Sequence, residues 1–385
     1  MKLFKKQKNQ FISQVTILSI IFGFAAGVVG QIVADVYVDP WRESYITSSL
    51  NTNVNILPSI PELRRVKTFL GIEQDFQVNK SIEKLNPSLV GIYLKKSAGQ
   101  TILNQIYLPA NLKANGFILT SDGWLVSFGS IFESYKPNQL AVIYGGQVFD
   151  VEELIVDNTT GVVFLKIPAN NLPVVVLGDS EEAILGQLAI VLNKLGEAMV
   201  VNIKDTSYRG INLASDFVVS SENYSQSILL AEVLDEAYLG SPLINLGGEV
   251  IGIIKEAGNE KTTAVPINQF RFIVLDVLRN KIIKRPLLGV EYLDLAWAIG
   301  LDKENTYGLD YGALVFQNPK SNTPAAAAGL VSGDIIISID GQQVNKNSSL
   351  TKLVQQYQPG DEISLEIVRA GKTLTKTATL VILPD

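Results

Sequence analysis

Residues 323–344 read TPAAAAGLVSGDIIISIDGQQV. They lie in a C-terminal unit of mixed strands with one helix near residues 348–358. Asn347 or Ser348 can cap this helix, and a Pro-Gly pair follows it. The pattern predicts a small domain of mixed strands and helix at this end of the chain.

The longer stretch before it, residues 81–267, has the pattern of an all-β domain. Short runs rich in Val, Ile and Leu alternate with turn pairs such as Asp122-Gly123 and Gly247-Gly248. Short strands at regular spacing with such turns predict a β barrel or sandwich. A helix is then predicted over residues 268–281, with Phe272, Leu275 and Leu278 on its apolar face.

The composition excludes several kinds of chemistry. The chain has 385 residues, 47% of them hydrophobic, and a net charge of −6, so it can build packed cores and has no basic footprint for nucleic acid. It contains no cysteine and no histidine. Disulfides, thiol catalysis and a Ser-His-Asp triad are therefore impossible, and we predict no metal site and no cofactor.

The N-terminus has the pattern of a membrane anchor. Four lysines lie in residues 1–10, and an uncharged run follows over residues 11–34. About 20 apolar residues suffice to span a bilayer, and the positive flank predicts a cytoplasmic N-terminus with the main body outside. A cleaved signal peptide is the alternative. We predict a single-pass protein of a bacterial-type cytoplasmic membrane.

The C-terminal unit resembles the PDZ domain of HtrA (Deg-type) proteases. The resemblance lies in residues 323–344, in the RPLLGV of residues 285–290, which is similar to the family's carboxylate-binding loop, and in the QPGD of residues 358–361.

The preceding domain resembles the trypsin-like part of the same family. The similar segments are ANGFILTSDGWLVSFGSIF at 114–132, DNTTGVVFLKI at 157–167, LGDS at 177–180, LGQLAIVLN at 185–193, AYLGSPLINLGGEVIG at 237–252 and TAVPIN at 263–268. The resemblance covers roughly residues 81–385 and implies a two-barrel fold followed by one PDZ domain.

The three positions of the family's catalytic triad carry other residues in this chain. Ser130 stands where the family has histidine, Gly161 where it has aspartate, and Leu239 where it has the nucleophilic serine. Ala237 replaces a glycine of the family's oxyanion hole. From these positions we predict that the chain is not an enzyme but an inactive homologue, a pseudoprotease.

A different catalytic arrangement is the alternative. Ser241 lies two residues beyond the position of the nucleophile, and Lys194, Lys204 or Lys255 is a conceivable base, as in Ser-Lys enzymes. The simpler interpretation is that Ser241 replaces a tight-turn glycine and that the lysines are solvated.

The resemblance also implies a peptide-binding site in the PDZ domain. PDZ domains add an extended peptide to a sheet edge and bind its terminal carboxylate through backbone N–H groups. These donors would come from Leu288, Gly289 and Val290. The receiving strand and the facing helix would add the remaining residues: Val290, Tyr292, Leu350, Leu353 and Val354. For the three helix residues, a place in the core is an equally good interpretation.

The predicted organisation therefore has six parts. They are a basic tail (1–10), a transmembrane anchor (11–34), a stalk (35–80), a trypsin-like domain (81–267), a linker helix (268–284) and a PDZ domain (285–385). The predicted fold class is mainly β, with two barrels and an α+β PDZ domain after one transmembrane helix.

The predicted function is the binding of unfolded or C-terminal peptide segments of envelope proteins. The protein would act as a sensor, scaffold or regulator in protein quality control, as a homotrimer or in hetero-assembly with an active paralogue. The alternatives are a serine-type endopeptidase with a non-standard catalytic site and a purely structural envelope protein.

Overall fold

The computed structural model describes residues 72–96, 102–258 and 260–384. The predicted tail (1–10), the predicted anchor (11–34) and residues 35–71 of the predicted stalk lie outside these ranges. In the part of the chain that is described, no helix has both the length and the apolar character needed to cross a bilayer.

Strands dominate the described residues. The strands are β1 Leu89–Leu94, β2 Leu112–Ile118, β3 Trp124–Phe128, β4 Leu140–Tyr144, β5 Gln147–Asp150, β6 Glu153–Val156, β7 Val162–Lys166, β8 Val176–Leu177, β9 Leu188–Leu192, β10 Ala198–Tyr208, β11 Val218–Ser220, β12 Ser227–Leu230, β13 Pro242–Ile244, β14 Glu249–Glu256, β15 Thr263–Pro266, β16 Pro286–Leu287, β17 Glu291–Asp294, β18 Ala313–Val315, β19 Ile335–Ile339, β20 Gln342–Gln343, β21 Glu362–Arg369, β22 Lys372–Thr379 and β23 Val381–Ile382. The α-helices are α1 Ile72–Leu85, α2 Val274–Asn280, α3 Lys303–Thr306, α4 Pro324–Ala327 and α5 Leu350–Val354. Single 3₁₀ turns include Ser130–Glu133, Ala214–Phe217, Glu236–Tyr238 and Ile267–Gln269.

The first barrel is a seven-stranded antiparallel sheet in the order β5-β4-β1-β2-β3-β7-β6. Its hairpins turn at the glycines that the sequence marks. Gly123 has a φ of +105°, and a Cβ built on it would lie 2.3 Å from the carbonyl oxygen of Ile167, so only glycine fits this turn. The interior is filled by a cluster that includes Ile92, Leu125 and Leu165.

The second barrel is a seven-stranded sheet in the order β13-β9-β10-β12-β15-β14-β8, and the pairing of β13 with β14 closes it. A cluster of its own, including Val191, Ile203 and Leu243, fills the interior. A further cluster combines residues of both barrels, such as Phe117 and Ile253, with residues of α1 and α2. The two barrels are therefore packed face to face with the helices at their seam.

The third sheet has the order β11-β17-β18-β19-β21-β22, with β20 added to β19. Its core contains apolar residues of the strands and of α5. The edge strand β11 is not part of the C-terminal unit, because it lies between β10 and β12 in the sequence. The structure thus confirms a mainly β fold of two barrels and a smaller α+β domain, and it shows that the segment between β10 and β12 adds one strand, β11, to the sheet of that domain.

The helices differ in detail from the sequence prediction. The region of the predicted linker helix begins with the 3₁₀ turn Ile267–Gln269, and α2 covers only Val274–Asn280. Leu275, predicted on the apolar face, is 59% exposed, whereas Val277 is fully buried. Ser349, rather than Asn347 or Ser348, caps α5 by accepting a hydrogen bond from the N–H of Lys352. α1 spans the predicted boundary at residues 80–81 and packs Leu85 into the shared core.

One buried ion pair joins the first barrel to the C-terminal domain. The guanidinium of Arg285 donates to both carboxylate oxygens of Asp157, at 3.1 and 2.5 Å. It also donates to the carbonyl of Gln269 and to the side chain of Gln355, which caps the C-terminus of α5. Arg285 and Asp157 are 2% and 1% exposed. The pair is therefore removed from water and fully hydrogen-bonded, which is the condition under which a buried pair is tolerated.

We predict that Arg285→Met lowers the free energy of unfolding by about 3–5 kcal/mol, because it leaves the Asp157 carboxylate buried without a partner. The shift of the urea midpoint of the full chain, followed by tryptophan fluorescence, to which buried Trp124 contributes, measures this loss. Lys281→Met is the matched control, because it breaks the exposed ion pair with Glu153 and is expected to cost at most about 1 kcal/mol. Equal midpoints for the two variants would contradict the prediction.

Candidate peptide-binding groove and the catalytic positions

The loop of residues 288–290 presents backbone donors at the start of β17. Gly289 has a φ of +84°, and a Cβ built on it would lie 2.5 Å from side-chain atoms of Thr323, so the loop requires glycine. The N–H groups of Leu288 and Gly289 both donate to the Oε1 atom of Glu222, at 3.0 and 2.8 Å. Two converging N–H groups of this kind form a carboxylate site.

The strand that follows the loop already has a partner. β11 lies antiparallel to β17, with Val218 opposite Leu293, Val219 opposite Tyr292 and Ser220 opposite Glu291. The N–H of Ser221 donates to the carbonyl of Val290 at 2.8 Å, which extends the pairing by one residue toward the loop.

Helix α5 also contacts β11. The hydroxyl of Thr351 donates to the carbonyl of Ser220 at 2.8 Å, and the hydroxyl of Tyr292 lies 3.0 Å from that of Thr351. Burial raises the pKa of Tyr292, so its hydroxyl remains protonated and serves as a hydrogen-bond donor.

All seven residues predicted from the sequence lie near the edge of β17 that β11 covers. They fall into two groups with different contacts. Leu288, Gly289 and Val290 contact the Ser221-Glu222 pair through their backbone N–H groups. The other four are at most 2% exposed and belong to the core of the domain: Tyr292, Leu350, Leu353 and Val354. Val219 of β11 packs against that core.

The sequence prediction missed Glu222, Ser221 and Thr351. A threonine at a buried helix position signals a hydrogen-bonding role, so Thr351 could have been found from the pattern of α5. Glu222 and Ser221 carry no such signal, because they meet the loop only through tertiary contact across more than 60 residues.

The loops of the three triad positions meet at one place in the barrels. A Cβ built on Gly129, next to Ser130, would lie 3.6 Å from Cδ2 of Leu239. Gly161 has a φ of +75°, and its hypothetical Cβ would lie 2.9 Å from the ring of Phe128. Two apolar side chains, Leu239 and Phe128, therefore fill the space between these loops.

The backbone of the nucleophile loop is hydrogen-bonded within the protein. The N–H groups of Ala237, Tyr238 and Leu239 donate to Asp235 and Glu236 in the 3₁₀ turn, and that of Gly240 donates to the carbonyl of Ile254. An oxyanion hole needs free N–H groups that converge on one point. In this conformation the loop would have to open before it could bind an oxyanion.

Ser241 is fully buried, and within the described residues its Oγ has no hydrogen-bond partner. Of the conceivable bases, Lys194 lies with its ammonium 5.7 Å from the ring of Tyr144, in the first barrel. Burial lowers the pKa of Lys194 and of Lys255. Among the described residues, no lysine forms a hydrogen bond with the Oγ of Ser241.

Both domains match known families. Residues 114–253 match the trypsin-like peptidase domain, and residues 297–380 match the PDZ domain. Together the two matches span more than half of the chain, and they confirm the predicted trypsin-like barrels and PDZ domain.

Curated relatives are similar over most of the chain. A protein of Halomonas elongata named "Probable periplasmic serine endoprotease DegP-like" is 31% identical over 282 residues, which are 70% of this chain and 56% of that protein. The "Serine protease Do-like HtrB" of Bacillus subtilis is 28% identical over 78% of this chain and 69% of its own length. The chain thus spans little more than half of the first of these relatives.

Solved structures share the fold. The structure titled "HtrA-type protease AlgW with decapeptide" superposes with a TM-score of 0.60 and 22% identity, over 80% of this chain and 99% of that one. The same protease with a tripeptide gives the same TM-score.

These comparisons correct one prediction. The vacant triad led us to predict a protein that is not an enzyme, but the relatives are named as serine endoproteases, and the peptidase domain matches over residues 114–253. The prediction was wrong because it took the residue types at three positions as sufficient to decide activity. The matches to both domains and to these relatives establish that the chain belongs to the HtrA/DegP family of trypsin-like peptidases with a PDZ domain.

Proposed function

We propose that this protein captures C-terminal or extended peptide segments of envelope proteins in the groove formed by the 288–290 loop, β17 and α5. It does so outside the cytoplasm, held at the membrane by residues 11–34, as a sensor, scaffold or regulator of protein quality control. The homotrimer or hetero-assembly expected from the resemblance remains a prediction.

One observation carries the proposal: the N–H groups of Leu288 and Gly289 converge on a single carboxylate oxygen, at 3.0 and 2.8 Å. A peptide terminus offers the same group, and the adjoining strand β17 already pairs with one added strand, β11, whose place a peptide would take. Relatives named as periplasmic endoproteases support a location outside the cytoplasm, and the peptide-bound structures of a similar protease support peptide capture.

We predict that peptides with a free C-terminus bind the full chain about tenfold more tightly than the same peptides with a C-terminal amide. A hydrogen bond to a charged group is stronger than one to a neutral group by about 1 kcal/mol or more, and about 1.4 kcal/mol is a factor of ten. Fluorescence anisotropy with a library of labelled decapeptides, randomised in the last four residues, measures this difference.

Gly289→Ala tests whether the loop is the site, because the added Cβ meets Thr323 and distorts the two donors. We expect it to abolish the preference for a free carboxylate. Gly333→Ala is the matched control: Gly333 has a φ of +89°, so backbone strain is similar, but nothing lies within 4 Å of the new Cβ. Free and amidated peptides that bind equally well, or do not bind at all, would refute the proposed function.

A second candidate function is serine-type endopeptidase activity with a catalytic site that does not use imidazole. The names of the relatives favour it, and so does Ser241, a serine of the nucleophile loop whose Oγ is left without a partner among the described residues. The 3₁₀ turn Glu236–Tyr238 would have to open for this hydroxyl to reach a substrate.

For this candidate we predict cleavage of unfolded casein by the full chain and labelling by a fluorophosphonate probe. Both are expected to be lost in Ser241→Ala and kept in Ser215→Ala, a control in an exposed turn. Gel analysis of casein fragments and of probe fluorescence measures both. If the wild-type chain neither cleaves nor is labelled, this candidate fails, while peptide capture is unaffected.

A further inference from the structure

Residues 218–222, which we call the inner segment, occupy the groove as a peptide terminus would. The segment runs antiparallel to β17, and Ser221 contributes the last strand hydrogen bond, to the carbonyl of Val290. Immediately after it, the side chain of Glu222 places a carboxylate on the N–H groups of Leu288 and Gly289. A strand followed by a carboxylate on the loop is the arrangement in which this class of groove receives a chain end.

The carboxylate of Glu222 is held entirely by hydrogen-bond donors. It is 6% exposed, and it also accepts from the hydroxyls of Ser220 and Ser221, at 2.5 and 2.6 Å. Among the described residues, no cation forms an ion pair with it. A buried carboxylate without a counter-ion is stable only where several donors converge, so the two N–H groups of the loop and the two serine hydroxyls together make this position possible.

The inner segment is short, and its hydrogen bonds to the C-terminal domain are made with the 288–290 loop, β17 and Thr351 of α5. β11 has three residues, and its two flanks are tied down separately. On one side, the guanidinium of Arg209 lies 3.6 Å from the buried Asp294. On the other side, the ring of Tyr224 lies 5.8 Å from the guanidinium of Arg285. Within the described residues, β11 pairs only in the third sheet, so its departure would break no strand pairing of either barrel.

We propose that the inner segment is an internal ligand that closes the groove, and that an incoming chain end with a matching C-terminus displaces it. This inference rests on the proposed function of peptide capture. The sequence of the inner segment also indicates which chain ends would bind. The terminal carboxylate replaces that of Glu222, the last residue is small like Ser221, and the third residue from the end is aliphatic like Val219, which packs against the domain core.

The test compares the affinity of one probe for the full-length wild type and its variants. The probe is a labelled peptide with the sequence of residues 214–221, ASDFVVSS, and a free C-terminus. Glu222→Gln keeps the shape but removes the charge, and Val219→Asp places a charge against the apolar core. Fluorescence anisotropy is expected to give a dissociation constant about tenfold lower for each variant than for wild type.

Glu362→Gln is the matched control, because Glu362 is an exposed glutamate of the same domain, on β21. It is expected to bind the probe as wild type does. Hydrogen exchange of the amides of Leu288, Gly289 and Val290 provides a readout that needs no ligand. These amides are expected to exchange slowly in wild type and at least tenfold faster in Glu222→Gln and Val219→Asp.

The outcomes separate the internal ligand from the proposed function. Equal affinity of the probe for wild type and both variants would overturn the internal ligand and leave peptide capture intact. Slow exchange of the three amides in every variant would overturn it as well. Fast exchange in the variants without any binding of the probe would refute displacement by such a chain end, and binding by no member of the peptide library would then refute peptide capture itself.

Discussion

The buried ion pair between Arg285 and Asp157 is the interaction on which the arrangement of the domains depends. Its guanidinium bridges the Asp157 loop of the first barrel, the carbonyl of Gln269 in the linker and Gln355 at the C-terminal end of α5. Charges taken this far out of water tolerate little displacement, because every donor that loses its acceptor is left unsatisfied. The pair thereby holds the PDZ domain where a segment of the second barrel can reach its groove. It also connects the helix of that groove to the loop that leads to Gly161, four residues after Asp157.

Local chemistry explains why much of the fold could be predicted from the sequence. The turn glycines Gly123, Gly145 and Gly248 all adopt a positive φ between paired strands, and this preference is a property of the residue itself. The resemblance to the family predicted that the loop of residues 288–290 and a facing helix form one peptide-binding site, and in the structure this loop and α5 both contact the inner segment. The helix details were less predictable, since packing selects the buried face: Val277 is buried, and Leu275, two residues earlier, is exposed.

The contents of the groove could not be predicted, for a physical reason. A three-residue strand has too few side chains to show a periodicity, and its partner strand begins more than 70 residues later. Glu222 looks like any solvated glutamate until the N–H groups of Leu288 and Gly289 are brought to it. The vacant triad positions show a similar limit of residue types as evidence. Residue types at Ser130, Gly161 and Leu239 define which mechanism is unavailable, and the names of the relatives contradict the broader prediction drawn from them.

Because the inner segment is covalently attached to the protein, a free peptide needs a high concentration to displace it. A segment joined to its own groove by short connections is present there at an effective concentration of about 1 mM or more, whatever the amount of protein. A free chain end of equal intrinsic strength must match that concentration, and its apparent affinity falls in proportion to the fraction of open grooves. Such a groove selects chain ends by their local concentration as well as by their sequence. A groove that captures chain ends as proposed would leave scattered termini unbound and would bind them where many accumulate together.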